Sequence, residues 1–149
     1  MINKIIAIQG DHPSTLNPLT DTSIFLANEI QKKKYKIFYY EPKNLSIINF
    51  KVIASGFFIK FDYGKKKFFK IIKKKKFNLN KAKFILIRQN PPFNMDYITS
   101  TLYLEAINNK VKIFNDPVSI RNISEKFYSI NFLKYIKTYL LQTLFEFEK

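Results

Sequence analysis

The 149-residue chain has no cysteine, no tryptophan, one histidine and three glycines. Without cysteine there is no disulfide frame, no thiolate metal site, no iron–sulfur ligation and no cysteine nucleophile. With His12 as the sole histidine, no two-histidine metal site can be built within the chain. Gly10, Gly56 and Gly64 lie far apart, which excludes a P-loop and a GxGxxG dinucleotide loop. Acidic residues are few: Asp+Glu is 11 against 26 Lys+Arg, a formal charge of +15. Arginine is scarcer still, with only Arg88 and Arg121. No apolar run reaches the length of about 18 residues that a membrane span needs, so no membrane span is expected. The apolar start, Met1 to Ile8, is too short for a signal peptide and lacks its small-residue cleavage site. A soluble cytoplasmic protein is the expectation.

Hydrophobic residues make up 46% of the chain, enough for one sizeable core in a chain of one-domain length. The excess charge is nearly all lysine, in a background rich in Ile, Asn, Phe and Tyr, which are the biases of an AT-rich genome. Base readout favours arginine forks, and charge runs are weak motif evidence. The charge therefore reads as a solvated lysine coat, and nucleic acid is not an expected partner.

Ile5 to Ile8 is a short continuous apolar run ending at Gln9-Gly10-Asp11, the pattern of a buried parallel strand. A polar loop with Pro13 and Pro18 follows. Asp21-Thr22-Ser23 opens a helix whose apolar positions Ile24, Leu26, Ala27 and Ile30 recur at helical spacing, and Lys32 to Lys34 closes it. Tyr35 to Tyr40 is a second strand, completing a parallel crossover unit. Leu45 to Tyr63 reads as short strands or a hairpin beside the main sheet. Between Gly64 and Lys76, Phe68, Phe69, Ile71 and Ile72 fall at i, i+1, i+3 and i+4, which predicts an amphipathic helix. The alternative is a basic surface for phosphate or membrane headgroups. Ala82 to Ile87 is another buried strand, residues around Tyr97 to Ala106 a helix, and Val111 to Asn115 a last parallel strand. Ser119 to Asn131 is expected to be helical with Ile120, Ile123, Phe127 and Ile130 inward. The apolar stretch Tyr135 to Phe147 is short of partners.

Two strand-end loops attract functional attention. Arg88 to Asn94 carries a cation, amides and paired prolines to the edge where open α/β sheets bind ligands. Arg88 either meets a ligand there or pairs with Asp96 or Glu105 and pins the loop. Asn115 to Arg121, followed by Ser124-Glu125-Lys126, is either a second ligand loop or an Asx-type turn leading into an exposed helix.

These loops carry a resemblance. Arg88-Gln89-Asn90-Pro91-Pro92-Phe93-Asn94 is similar to the Arg-x-Asp-Pro-Pro-Phe-Asp motif of bacterial-type glutathione synthetases. Asn115 to Lys126 resembles that family's Asn-x-Pro-x-Ser-Leu-Arg-Asp-x-x-Glu-Lys block. Asp11, with Asp21-Thr22-Ser23 ten residues later, resembles its opening motif. The sequence departs from the family at Asn90 and Asn94, which replace aspartates, at His12, which replaces a proline, and at Leu19-Thr20, where basic residues are common.

The resemblance implies an α/β fold: an open parallel-sheet, Rossmann-like pre-ATP-grasp domain with helices on both faces. It implies a substrate domain over 1–122 and the start of an ATP-grasp domain over 123–149. The family's activity is ATP-dependent ligation of glycine to γ-glutamylcysteine, with ATP and magnesium bound by the ATP-grasp half. By the same resemblance Lys126 is an ATP-phosphate contact, and Arg88, Asp21 and Ser23 are substrate contacts. Phosphoryl transfer needs metal ions, cations and closure against water. The sequence after Lys126 has no glycine, and its carboxylates are Glu146 and Glu148 alone. This chain is therefore expected to be a truncated ligase half, inactive alone. The alternatives are an assembly module that docks with a separate ATP-grasp chain, or a binder of nucleic acid or anionic surfaces through Lys65 to Lys76; the resemblance also suggests self-association as a homo-oligomer.

Overall fold

A computed structural model describes residues 4–123, 127–132 and 134–135. The apolar runs form strands β1 (Ile5–Gln9), β2 (Lys36–Tyr40), β6 (Phe84–Ile87) and β7 (Lys112–Phe114). They pair in parallel, in the spatial order β2-β1-β6-β7. Ile8 lies beside both Tyr39 and Leu86, and Ile85 lies beside Ile113.

Alternating side chains serve opposite faces of the sheet. Ala7, Phe38, Tyr40, Ile85 and Ile87 join one buried cluster with Leu104 and Ile107. Ile8, Ile37 and Tyr39 join the other with Ile24 and Ala27. Helix α1 (Thr22–Lys32) thus covers one face and α2 (Met95–Glu105) the other. The expectation of a parallel α/β core with helices on both faces holds. Helix α1 starts where Asp21 Oδ1 accepts the Ser23 N–H at 2.7 Å. It ends at Lys32, followed by Lys33 and by Lys34 at φ 63°. Helix α2 starts where Asn94 Oδ1 accepts the Tyr97 N–H at 3.0 Å. Both caps satisfy orphan helix N–H groups.

The stretch after β2 extends the sheet with antiparallel strands β3 (Leu45–Ile48), β4 (Lys51–Phe61) and β5 (Phe69–Asn78). Strand β4 takes β3 and β2 along one edge and β5 along the other. The β3–β4 turn is Asn49-Phe50, both at positive φ, as a two-residue hairpin turn requires. Strand β5 corrects the helix expected over Gly64 to Lys76. Ile59 pairs with Ile71 and Phe58 with Lys73, so Ile72 is the extra residue of a bulge. That bulge breaks the two-residue period and puts apolar residues at spacings that imitate a helix. Gly64 occupies the tight turn before β5 at φ 79°.

After β7, α3 (Pro117–Asn122) is followed by a 3₁₀ turn over Phe127–Phe132. Ile120 packs on the core, as expected. Ile123 and Ile130 do not: they are 45% and 46% exposed. The expectation for Tyr135 to Phe147 lies outside the described residues beyond Tyr135 itself. Among the described residues no helix is long and apolar enough to cross a membrane.

Candidate functional site

Parallel strands bring their C-terminal ends to one rim, and polar loops gather there. Strand β1 ends in Gln9-Gly10-Asp11, β2 in Tyr40-Glu41, and β6 in Arg88-Gln89-Asn90. Between these ends and the first turn of α2 is a cleft of about 440 Å³. Asp11, His12, Glu41, Asn90, Asp96 and Tyr97 are among its walls.

Backbone hydrogen bonds fix this rim. Arg88 N–H donates to Gln9 O at 2.7 Å, and Gly10 N–H donates to Tyr40 O at 3.1 Å. Asp11 Oδ2 accepts the Asn90 N–H at 3.2 Å, locking the β1 loop to the β6 loop. Beneath them Gln9 is fully buried and donates to Gln89 Oε1 and, at 3.3 Å, to Ser100 Oγ. The Ser100 hydroxyl donates to Tyr97 O at 2.7 Å. A buried amide network therefore holds α2 against two strand ends.

Arg88 reaches sideways to the start of α1. Its Nε donates to Ser23 Oγ at 3.2 Å and its Nη2 to Thr22 Oγ1 at 3.0 Å. Both acceptors are neutral hydroxyls. Among the described residues Arg88 has no carboxylate in salt-bridge range, and its Nη1 has no protein acceptor. The guanidinium is held in place while its charge stays free for an anion. The alternative in which Asp96 or Glu105 pins Arg88 is excluded. Glu105 pairs with Arg121, which also donates to Thr101 Oγ1 at 3.2 Å and Pro117 O at 3.4 Å. Arg121 thus ties α3 to α2.

The residues proposed by resemblance at the first helix, Asp21 and Ser23, do come together with Arg88. Ser23 touches it directly, and Asp21 caps the helix turn that presents Ser23. Lys126 lies outside the described residues. Sequence reasoning missed Thr22 as an Arg88 partner, and it missed Gln9, Tyr39, Glu41 and Tyr97. Gln9 left a signal: a polar residue closing an otherwise apolar buried strand. The second loop forms the Asx cap foreseen for it. Asp116 Oδ2 accepts the Ser119 N–H at 2.7 Å. That bond holds the Asp116 carboxyl below the usual carboxylate range.

Tyr39 and Tyr40, both buried, close strand β2 next to this rim. The Tyr39 hydroxyl donates to Asp11 O at 2.6 Å. Gly10 leaves room for this bond, since a Cβ there would stand 2.4 Å from the hydroxyl. Burial pushes the Tyr39 phenol well above its ordinary pKa, and Asp11, Asp21 and Glu41 push the same way while Arg88 opposes them. Burial alone raises Tyr40, whose hydroxyl has no hydrogen-bond partner among the described residues. The folded state keeps these protons above pH about 10, where an unfolded tyrosine loses its own. Folding stability therefore falls as pH rises past about 10. Tyr40→Phe removes one of the two groups and an unsatisfied hydroxyl. We expect its urea midpoint to equal or exceed wild type at pH 7, with a margin that widens from pH 9.5 to 11. A constant or shrinking margin would contradict the assignment.

The chemistry available here is recognition of a small polar ligand with an anionic group. Among the described residues no three His, Cys, Asp or Glu side chains gather at one point. The described residues thus offer no magnesium cage of their own.

Comparison with known proteins shows the family of the chain. Residues 5–121 match the family model described as prokaryotic glutathione synthetase, N-terminal domain. The chain is 37% identical to the glutathione synthetase of Mesorhizobium japonicum over 85% of its own length and 41% of that protein's. It is 36% identical to the Agrobacterium fabrum glutathione synthetase, covering 87% of this chain and 40% of that protein. It is 35% identical to a Buchnera aphidicola glutathione synthetase, covering 91% of this chain and 43% of the relative. The chain therefore spans about 40% of the length of the curated relatives it matches. Arg88 and Arg121 fall inside the family match, and Lys126 lies beyond its end. With an α/β domain of the expected topology and a matching family model over most of its length, the chain belongs to the prokaryotic glutathione synthetase N-terminal domain family.

Proposed function

We propose that this chain is the peptide-binding part of a glutathione synthetase. It holds γ-glutamylcysteine at the sheet rim for ATP-dependent ligation of glycine. The observation that carries this reading is Arg88, fixed by Thr22 and Ser23 at the rim with its charge unneutralised by any described carboxylate. A carboxylate of the dipeptide supplies the missing anion. Asp21 acts as a positioning residue, through the helix turn it caps.

In this reading residues 1–122 form the substrate domain and 123–149 begin an ATP-grasp half. The end of the family match at residue 121 and of α3 at Asn122 support that division. ATP and magnesium bind mainly to the ATP-grasp half, with Lys126 contacting phosphate from its border. That half comes either in the same polypeptide or from a separate one.

Two measurements on the purified 149-residue chain test this. Calorimetry in the absence of ATP is expected to detect γ-glutamylcysteine binding. Incubation with ATP, magnesium, glycine and the dipeptide is expected to release neither phosphate nor glutathione. No dipeptide binding would overturn the substrate assignment. Turnover by the chain alone would overturn the division of labour.

A further inference from the structure

A groove of about 410 Å³ opens at the end of the sheet opposite the candidate site, where β2 begins and β5 bends. Its apolar lining includes Phe58, Ile59 and Ile72, and its charged lining is Lys36, Lys60 and Lys73. Among the described residues no carboxylate lines it. Small-molecule sites have volumes of roughly 300–1,000 Å³, so the groove is large enough for one.

Register puts the three lysines on one face. Phe38 lies opposite Phe58, and Phe58 opposite Lys73. Lys36 stands two residues from Phe38 and Lys60 two from Phe58, so both share that face. Lys60 also lies directly opposite Lys70. Three neighbouring strands thus bring like charges together, an arrangement that costs stability. Among the described residues none of Lys36, Lys60 and Lys73 is in an ion pair. Lysines on β5 shield a sheet edge from further pairing. That account does not extend to Lys36 and Lys60, since β2 lies between β1 and β4, and β4 between β2 and β5. Two further details point to a ligand. Ile72, the extra residue of the β5 bulge, is 65% exposed. Bulges re-aim side chains, and this one sets an apolar group beside the lysines. At another wall the Tyr35 hydroxyl accepts a hydrogen bond from Lys83 Nζ at 2.6 Å. Among the described residues that hydroxyl has no acceptor for its own proton, and Lys83 has no carboxylate in salt-bridge range.

We infer that this groove binds a small amphipathic anion, a soluble molecule with a hydrocarbon body and one carboxylate. The hydrocarbon lies against Phe58 and Ile72, and the carboxylate meets Lys36 and Lys60. Charge complementarity selects this occupant: the groove offers apolar surface ringed by cations that have no counter-charge in the chain. A second copy of the chain, with a formal charge of +15, carries the wrong sign to cover it. This inference is independent of the substrate reading above.

The test is calorimetric titration of the full chain at fixed ionic strength with three probes: octanoate, 1-octanol and inorganic phosphate. Octanoate is expected to bind about tenfold more tightly than either of the others, each of which lacks one half of the recognition. The double variant K36Q/K60Q should weaken octanoate about fivefold, the scale of two exposed charge contacts. I72S should weaken it about fourfold, the scale of one buried methylene. K66Q/K67Q, an equal charge change outside the groove, should bind octanoate as wild type does. Absence of octanoate binding, octanol or phosphate binding as tightly as octanoate, unchanged affinity in K36Q/K60Q, or an equal loss in K66Q/K67Q would overturn the inference. Binding to phosphatidylglycerol vesicles that is lost in K36Q/K60Q and kept in K66Q/K67Q would assign the lysines to a membrane surface and overturn the soluble ligand.

Discussion

Gly56→Val should leave the chain largely unfolded at 37 °C. Gly56 sits in β4 where that strand runs against β2. A Cβ at this position would stand 2.3 Å from Tyr39 O, 2.8 Å from Tyr40 Cβ and 2.9 Å from Phe38 Cζ. The first contact is with backbone of a strand paired on both sides, so it cannot move without breaking the β1–β2 or β2–β4 ladder. The other two are with fully buried side chains of the core. Overpacking of this kind costs about 3 kcal/mol or more. That is a large share of the roughly 5–15 kcal/mol that holds a typical domain. Gly56→Ala should show the same effect in milder form, with a melting temperature lowered by about 10 °C or more. Thermal unfolding followed by circular dichroism measures both. A Gly56→Ala melting temperature equal to wild type would show that β4 does not press on β2 as described.

Arg88→Ala should weaken γ-glutamylcysteine binding by about 10- to 100-fold. A hydrogen bond to a charged group contributes roughly 1.5–3 kcal/mol, more than one between neutral groups. Arg88 is suited to this role because its own partners are hydroxyls that orient it without neutralising it. Arg88→Lys should recover only part of the loss. A lysine keeps the charge but cannot hold Thr22 and Ser23 while also presenting a planar fork. The stability cost of either change should stay near 1 kcal/mol, because Arg88 is only half-buried and loses two hydroxyl contacts. Calorimetric titration, with a melt of each variant as control, separates binding loss from unfolding. Wild-type affinity in a folded Arg88→Ala variant would remove Arg88 from the site.

Both predictions depend on contacts that the sequence reveals to different degrees. The parallel core was legible because Ile5 to Ile8 and Phe84 to Ile87 are continuous apolar runs, which strands buried on both faces require. Helices α1 and α2 were legible from their periodicity and from the Asp21-Thr22-Ser23 start. Strand β5 was not. Its bulge at Ile72 interrupts the alternation that marks a strand, and an inserted residue leaves no local signature. Pairing with β4 decides the matter, and that pairing is tertiary.

The site followed the same division. Arg88 was visible as one of two arginines in the chain, placed just after a buried strand. Its partners were not, since Ser23 lies 65 residues away in sequence and chain folding alone brings them together. Asp96 and Glu105 looked like natural partners because they are close in sequence and opposite in charge. Glu105 is instead held by Arg121 from α3. Glu41 escaped notice because nothing in its neighbourhood signals a cleft. It enters the site only because β2 is parallel to β1 and ends at the same rim.

The most direct test is amide chemical-shift mapping of the isotope-labelled 149-residue chain during titration with γ-glutamylcysteine. The predicted shifts concentrate at the strand ends and the first turn of α1, including Gly10, Asp11, Ser23, Arg88 and Asn90. Shifts confined to the opposite end of the sheet, in the groove lined by Tyr35, Phe58 and Ile72, would contradict the account.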